Sequence, residues 1–206
     1  MKKVLLINGS PNQYGCTYTA LNEIATTLNK EGIETDIHWI GNKPISGCIA
    51  CGKCIEGKCI IDDQVNEIMA KIDDYGAIVV GSPVYYAGPS GQLIAFLDRL
   101  FYISRGRMRN KLGASIVSCR RGGASSTFDQ LNKYFSISSM PVVSSSYWNQ
   151  VHGNKKEEVL QDLEGIQTMH NLALNMAWLM KCIECGDNNN IPRPELERKY
   201  RTNFIR

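Results

Sequence analysis

Residues 3–11 read KVLLINGSP, an apolar run that ends at a glycine, a serine and a proline. The run has the length and composition of a strand that is buried on both faces of a sheet. A helical pattern follows the turn, over Tyr18–Glu31, and ends at Gly32. A strand, a turn and a helix in this order predict the first unit of a parallel sheet that is covered by helices.

The same alternation continues along the chain. Further strands are predicted over Glu34–Ile40, Ala77–Gly81, Leu112–Ser118 and Pro141–Ser145, and helices over Val65–Ile72, Gly91–Tyr102, Ser126–Phe135 and Lys156–Met180. This pattern predicts an α/β fold with a doubly wound parallel sheet. Ligands of such sheets bind at the carboxyl ends of the strands, where the strand order reverses. We therefore expect the loops after residues 8, 81 and 118 to line one site.

Composition limits the classes of function. The 206 residues suggest one domain, and a net charge of +3 argues against nucleic acid or membrane binding. The apolar N-terminal run is too short for a signal peptide, and no stretch has the length of a membrane helix. We therefore expect a cytoplasmic protein. Eight cysteines in such a chain indicate metal ligands or redox thiols rather than disulfides.

The first loop, residues 9–17, reads GSPNQYGCT and opens the first predicted helix. Backbone amides and hydroxyls at a helix N-terminus can hold a phosphate, helped by the helix dipole. The loop has neither a GxGxxG pattern nor the lysine of a nucleotide-binding P-loop. It therefore suits a flavin monophosphate better than a nucleoside triphosphate, and the alternative interpretation is a plain strand–helix turn.

Two later loops also follow strands. Residues 81–90, GSPVYYAGPS, form a stiff segment with flat aromatic faces that could pack against a planar ring, or a surface turn with two core tyrosines. Residues 118–123, SCRRGG, contain adjacent glycines that allow the backbone to approach a ligand closely. Arg120 or Arg121 could face the electron-rich edge of a flavin or the phosphate of a nicotinamide cofactor. A solvated arginine pair is the alternative.

Four cysteines with the spacing C-x2-C-x2-C-x4-C form the other chemical motif: Cys48, Cys51, Cys54 and Cys59. Cysteines at such short gaps can wrap an iron–sulfur cluster. Zinc is an alternative, since four thiolates also suit a tetrahedral ion, and a second pair, Cys182 and Cys185, could contribute to it. Free thiols are the third interpretation. Cysteines of this kind beside a flavin site indicate electron transfer.

Taken together, the three loops resemble the flavodoxin-like NAD(P)H-dependent FMN reductase superfamily. With the cysteine segment 47–63 included, the chain resembles its iron-sulfur flavoprotein branch. The resemblance implies a flavodoxin-like three-layer sandwich, with residues 1–185 as an FMN-binding domain that carries the cysteine insert. Residues 186–206, which contain Asn188–Asn190 and two prolines, are predicted to form an extended C-terminal tail.

The resemblance also implies site residues. It places Ser10, Asn12, Cys16 and Thr17 around the FMN phosphate, Pro83, Val84, Tyr85 and Tyr86 along the isoalloxazine ring, and Gly122 and Gly123 nearby; Ser118 and Arg120 complete the predicted set. It implies a [4Fe-4S] cluster on the four cysteines, and FMN at the subunit interface of a homodimer or homotetramer. Cys16 departs from the family, in which many members have asparagine, and a thiol is a weak donor. Backbone amides would then dominate at that position.

The predicted function is an FMN-dependent oxidoreductase. Electrons would pass from NAD(P)H through FMN to a small acceptor such as a quinone, a flavin or another electrophile, and the cluster would divide them into single-electron steps. No catalytic side chain is predicted, because the flavin does the chemistry. One alternative is an electron carrier that serves ferredoxin and has no nicotinamide site; such carriers are usually acidic, whereas this chain is slightly basic. The other is a non-enzymatic redox sensor that uses thiols or zinc.

Overall fold

Five parallel strands form the centre of the molecule in a computed structural model that describes residues 2–197, 199–200, 202 and 204. The strands are β1 (Lys3–Asn8), β2 (Thr35–Trp39), β3 (Tyr75–Pro83), β4 (Leu112–Cys119) and β5 (Gln150–His152). Their order in the sheet is β2-β1-β3-β4-β5, and every neighbouring pair is parallel. This is the strand order of a flavodoxin-like doubly wound sheet, so the predicted fold class is confirmed.

Helices cover both faces of the sheet. They are α1 (Cys16–Lys30), α2 (Gln64–Ala70), α3 (Gly91–Ile103), α4 (Ala124–Ile137), α5 (Lys156–Val159) and α6 (Leu163–Asn188), with a short 3-10 turn over Ile72–Asp74. Helices α1 and α6 pack on one face, and α2, α3 and α4 on the other. Within the described residues, no helix combines the length and the apolar character needed to cross a bilayer.

The three central strands, β1, β3 and β4, are largely apolar because both of their faces are buried. In β1, Leu5 and Ile7 face α2, α3 and α4, whereas Val4 and Leu6 face α1 and α6. All four side chains have no exposed surface. Continuous apolar runs are therefore required here, in contrast to the alternating pattern of a sheet with one wet face.

The predicted fourth strand, Pro141–Ser145, is wrong. Only Val142 forms a β-bridge there, opposite Gly113 near the start of β4. Proline has no N–H to donate, so Pro141 contributes only its carbonyl, which accepts from Gly113 N. The edge strand is instead β5, which pairs with the end of β4.

The predicted final helix, Lys156–Met180, is also wrong in its bounds. Its first turns are the separate helix α5, because Asp162 caps a new helix by accepting from Gly165 N. The second helix, α6, then continues to Asn188, so Cys182 and Cys185 are helical. The predicted extended tail from residue 186 therefore begins later: residues 191–197 have neither helix nor strand, and residues 198, 201, 203, 205 and 206 lie outside the described residues.

Glycines allow the close approach that brings the carboxyl ends of β1 and β3 together. Gly9 N donates to Gly81 O at 2.9 Å. A Cβ atom on Gly9 would lie 2.5 Å from Leu93 Cδ2 and 2.8 Å from the Gly81 carbonyl oxygen. The first neighbour is a core side chain of α3 and the second is backbone, so neither can yield easily.

Gly9→Ala should therefore destabilise the protein by roughly 1–3 kcal/mol, the usual cost of forcing extra volume into a packed core. Gly91→Ala is the matched control, because a Cβ atom there would meet no atom within 4 Å and the residue begins α3. We expect the control to have the free energy of unfolding of the unchanged protein, or slightly more. Equilibrium unfolding in guanidinium chloride measures both, and equal values for the two variants would contradict this account of the packing.

Candidate functional site

The loop after β1 is held by its own side chains. Asn8, buried at the end of the strand, accepts from Ser10 N at 3.1 Å through Oδ1 and donates to Gln13 O at 3.0 Å through Nδ2. Asn12 N donates to Ser10 Oγ at 3.1 Å. From the neighbouring strand β2, Trp39 Nε1 donates to Ser10 O at 2.8 Å. The predicted phosphate loop is thus a fixed structure.

Two long helices that begin at this edge of the sheet have open N-termini; the four-residue α5 also lacks a side-chain cap but has two glutamates in its first turn. The N-cap of α1 is Gly15 and that of α4 is Gly123, and neither has a side-chain cap. In contrast, Asp63, Ser90 and Asp162 cap α2, α3 and α6. Neither open helix has an acidic residue in its first turn. Free amides and the positive ends of two helix dipoles therefore favour an anionic ligand here.

Hydrogen bonds join the three predicted loops into one surface. Buried Thr17 and Ser118 share a hydrogen bond of 2.8 Å between their hydroxyls. Ser90 Oγ donates to Gly9 O at 2.7 Å, and Val84 N donates to Ser118 O at 3.0 Å. The structure therefore brings the loops after β1, β3 and β4 together, and we call their combined surface the carboxyl edge.

The loop after β3 is a tight hairpin that presents aromatic side chains to solvent. Tyr85 and Gly88 exchange both backbone hydrogen bonds, and Tyr86 and Ala87 at its tip have φ values of 49° and 59°. Tyr86 is fully exposed and Tyr85 is about half exposed, so neither is the core tyrosine that was the alternative interpretation. Ser126 Oγ of α4 donates to Ala87 O at 2.7 Å and fixes the tip.

The loop after β4 packs against that hairpin. Gly123 has a φ of 87°, and a Cβ atom there would lie 2.9 Å from Ala87 Cα and 2.9 Å from Val84 Cγ1. Of the two glycines, Gly123 therefore makes the expected close approach, and it approaches the hairpin. Arg120 and Gly122, like Arg121, are exposed on the outer side of the loop.

Cys16 directs its thiol away from the first loop. Its Sγ donates to the carbonyl of Gly153, beyond β5, at 3.6 Å, and burial raises the pKa of the thiol. The side chain is thus used to join α1 to the end of β5. The backbone of Cys16 nevertheless forms the first turn of α1, so its contribution to an anion site is the amide.

The four cysteines of the insert line one cavity of about 160 Å³, which we call the cysteine cavity. Cys59 is buried, Cys54 is partly buried, and Cys48 and Cys51 are exposed. Partial burial raises the pKa of Cys54, and the charges of the other three thiols add to this effect. The other three thiols are therefore close enough to Cys54 to affect its ionisation.

The sulfurs are nevertheless not arranged around a single point. Among the described residues, no group of three or more His, Cys, Asp or Glu side chains has the arrangement of a metal-ion site. Cys182 and Cys185 are exposed on α6 and do not line the cysteine cavity. They do not complete the tetrahedral site that the sequence left open.

Arg99, which the sequence analysis did not single out, anchors the insert. Its side chain is 1% exposed and forms a two-point ion pair with Asp63, at 2.6 and 2.9 Å. It also donates to Ile61 O at 2.9 Å and to Ser46 O at 3.2 Å, so it holds both ends of the cysteine loop against α3. A signal was available: Arg99 lies three residues after Phe96, on the apolar face of α3.

A second unpredicted residue fixes the last cysteine. Asn66 of α2 accepts from Cys59 N at 2.8 Å through Oδ1 and donates to Cys59 O at 3.0 Å through Nδ2. Arg105 donates to the carbonyl of Cys54 from the end of α3. The backbone at Cys54 and Cys59 is thus held by polar side chains from α2 and from the turn after α3.

The carboxyl edge and the cysteine cavity lie at opposite ends of α3. Ser90 and Gly91, where the helix begins, belong to the carboxyl edge, whereas Tyr102 in its last turn lines the cysteine cavity. A rise of 1.5 Å per residue separates these two ends by roughly 16 Å. The two candidate sites are therefore separate and lie along one helix.

Comparison with known proteins decides the family. The family model described as NADPH-dependent FMN reductase matches residues 2–155. The chain belongs to this family. It is also 35% identical over 191 residues to an iron-sulfur flavoprotein of Methanocaldococcus jannaschii, covering 88% of this chain and 99% of the relative. An iron-sulfur flavoprotein of Methanosarcina thermophila is 30% identical over 188 residues, covering 88% of this chain and 97% of that protein.

A solved structure supports the fold. The flavodoxin, WrbA-like protein of Agrobacterium tumefaciens superposes with a TM-score of 0.63 at 15% identity, covering 88% of this chain and 99% of that one. The family model and the two relatives confirm the predicted superfamily and its iron-sulfur flavoprotein branch, and the chain belongs to a family of flavin-dependent oxidoreductases.

Gly123→Ala should weaken FMN binding at least tenfold, a cost of about 1.4 kcal/mol. The added methyl group would meet the backbone of Ala87 and would sit on a left-handed residue, so the loops after β3 and β4 must move apart. Gly32→Ala is the matched control: Gly32 is also left-handed, with a φ of 80°, but it follows α1 outside the site and its Cβ atom would meet nothing within 4 Å. Titration of flavin fluorescence measures both, and an equal loss of affinity in the two variants would contradict this role of Gly123.

Proposed function

We propose that this protein is an FMN-dependent oxidoreductase that accepts electrons from NAD(P)H at the carboxyl edge and passes them to a small acceptor, with a [4Fe-4S] cluster in the cysteine cavity. The acceptor is a quinone, a flavin or another small electrophile. The observation that carries the proposal is the convergence of two uncapped helix N-termini, α1 and α4, on one edge of a flavodoxin-like sheet.

The first loop supplies the proposed phosphate site. Amides of the first turn of α1, including that of Cys16, have no side-chain cap to satisfy them. The hydroxyls of Ser10 and Thr17 and the amide of Asn12 lie in the same loop and helix start. Such a set neutralises a phosphate with backbone dipoles and hydroxyls, without the need for a lysine.

The second and third loops supply the proposed ring site. Pro83, Val84, Tyr85 and Tyr86 form the stiff wall, and Ser118, Arg120, Gly122 and Gly123 lead into the open N-terminus of α4. When bound, FMN supplies the electron-accepting ring and the protein supplies its environment. The positive end of the α4 dipole favours the more electron-rich, reduced form of a ring placed against it.

The cysteine cavity suits a cluster better than a single ion. Its four donors are soft sulfurs, which select iron–sulfur clusters and zinc. A zinc ion would hold each sulfur at about 2.3 Å and so draw them around one point, an arrangement that the described residues do not have. A cluster distributes its four thiolates over separate irons, so its ligands stand further apart. The residues that would hold it are Cys48, Cys51, Cys54 and Cys59.

The separation of the two sites supports a homo-oligomer. Roughly 16 Å along α3 divides the cysteine cavity from the carboxyl edge of the same chain. Packing of chains that brought the cavity of one protomer towards the carboxyl edge of its partner would shorten that path. We therefore extend the proposal to a homodimer or homotetramer, which sedimentation velocity can test.

A second candidate function is electron transfer with ferredoxin and no nicotinamide site. It is favoured by three basic residues that are exposed around the cysteine cavity, Lys53, Lys58 and Arg105, of which Lys58 also pairs with Asp62 at 3.9 Å. A basic rim of this kind attracts acidic partners and accelerates their association at low salt. Reduced ferredoxin would then deliver electrons directly to a cluster held in the cysteine cavity.

Anaerobic reduction kinetics distinguish the two functions. The purified protein is loaded with FMN and reconstituted with iron and sulfide, and the flavin absorbance is then followed after mixing with NADH, NADPH or reduced ferredoxin. Reduction by a nicotinamide cofactor within seconds supports the first function. Reduction by ferredoxin alone supports the second. A protein that binds no FMN would refute both.

Cys54→Ser should reduce the iron content from about four irons per chain to well below that value, because the cluster loses one of its four thiolates. Its FMN content should stay unchanged, since the cysteine cavity is remote from the carboxyl edge. Cys185→Ser is the matched control, as this exposed cysteine lies on α6 outside the cavity. Iron, sulfide and flavin assays on each variant check the prediction, and equal iron loss in both would count against the assigned ligands.

A further inference from the structure

One donor of the Arg99 guanidinium has no partner. Within the part of the chain that the structure describes, Arg99 Nε is buried and has no hydrogen-bond partner. Buried polar groups are nearly always paired, and an isolated donor costs free energy of folding. An orphan donor on the residue that anchors the cysteine insert therefore points to a missing acceptor.

The other donors fix the direction of this one. Nη1 and Nη2 are used by Asp63, Ile61 O and Ser46 O. The guanidinium is planar and rigid, so these contacts also set the direction of the Nε–H bond. A lysine, with a single rotatable ammonium, could not hold the loop at three places and keep a fourth donor aimed elsewhere.

Cys59 is the candidate acceptor beside this donor. It is buried in the same core cluster as Phe96 and Leu100 of α3, and Ile61, whose carbonyl accepts from Arg99 Nη2 at 2.9 Å, lies two residues after it. Asn66 holds the backbone of Cys59 on both sides, so the position of this residue is well defined. A neutral thiol is a weak acceptor, whereas a metal-bound thiolate carries the negative charge that a guanidinium seeks.

We propose that Arg99 is a positioning residue for Cys59, and that its Nε–H donates a hydrogen bond to the Cys59 sulfur once that sulfur is a metal-bound thiolate. The inference rests on the proposed function in one respect, the presence of a metal in the cysteine cavity. Partners of this kind orient metal ligands and tune the metal. A hydrogen bond to sulfur stabilises the more electron-rich reduced state of a cluster, so Arg99 raises its reduction potential.

Three variants of the full chain test the role of Arg99. Arg99→Met and Arg99→Lys remove the Nε–H donor, and the second keeps a positive charge. Asp63→Asn is the matched control: asparagine still caps α2, and its amide oxygen, together with Ile61 O and Ser46 O, still accepts from the guanidinium although the ion pair is lost. Two measurements apply to each variant. One is the midpoint potential of the reconstituted cluster, and the other is the sulfur-to-cobalt charge-transfer band of the metal-free protein after addition of Co²⁺.

We expect both Arg99 variants to lower the potential, to move the charge-transfer band to lower energy and to bind Co²⁺ about tenfold or more weakly. Asp63→Asn should keep the potential and the band of the unchanged protein, even if its loop is looser. An unchanged potential and band in Arg99→Lys, or equal shifts in Asp63→Asn, would overturn the inference, because they would show that Arg99 acts only by anchoring the loop.

The unchanged protein provides a test that does not depend on the folding of a variant. With ¹⁵N-labelled arginine, one buried Nε–H signal should move downfield and exchange more slowly with solvent when Zn²⁺ is added to the metal-free protein. The absence of such a signal would overturn the inference. Failure of the cluster proposal can be distinguished from failure of this inference. If the protein takes up no iron but shows the Zn²⁺ and Co²⁺ effects, the cluster proposal fails and the role of Arg99 stands. A protein that binds none of these metals overturns both.

Discussion

The backbone hydrogen bond from Gly9 N to Gly81 O joins the first two loops at the point where the sheet reverses its order. It requires that β1 and β3 run side by side to the end of β1, and that neither Gly9 nor Gly81 carries a side chain at the junction. Asn8, Thr17 and Ser90 then add the bonds that fix the remaining loop geometry. The geometry of the candidate site thus depends on the pairing of β1 with β3, which continues one residue past the end of β1.

The sequence was sufficient to predict strands and loops where the local residue pattern and the packing of the core favour the same structure. Apolar runs such as 4–7 specify buried strands, because only strands with both faces covered need them, and the three predicted loops follow from the strand ends. It failed at the edge strand, where residues 141–145 have strand-like side chains but the ladder is set by contacts with β4. It also missed the break at Asp162, since a cap inside a continuous helical pattern is decided by tertiary bonds, here to the backbone of His152.

The cysteine insert shows a different limit. Its cysteine spacing predicts a cluster or metal site, but it does not reveal Arg99 and Asn66, which hold the loop and lie in helices that follow the motif. A buried arginine is costly unless it is paired, and here Asp63 provides the pairing at the N-terminus of α2. A charge on the apolar face of α3 is the trace that this arrangement leaves in the sequence. The ion pair gives a loop with little core of its own a defined position on the sheet.

The hairpin at Tyr86 and Ala87 has an energetic consequence for recognition. Two successive non-glycine residues with left-handed backbone cost about 1–2 kcal/mol each, and the rest of the fold must offset that cost. Because the bond from Ser126 to Ala87 holds the turn, Tyr86 is displayed in its place before any ligand arrives. The entropy of ordering this loop is therefore spent during folding, and association does not have to wait for the loop to find its shape.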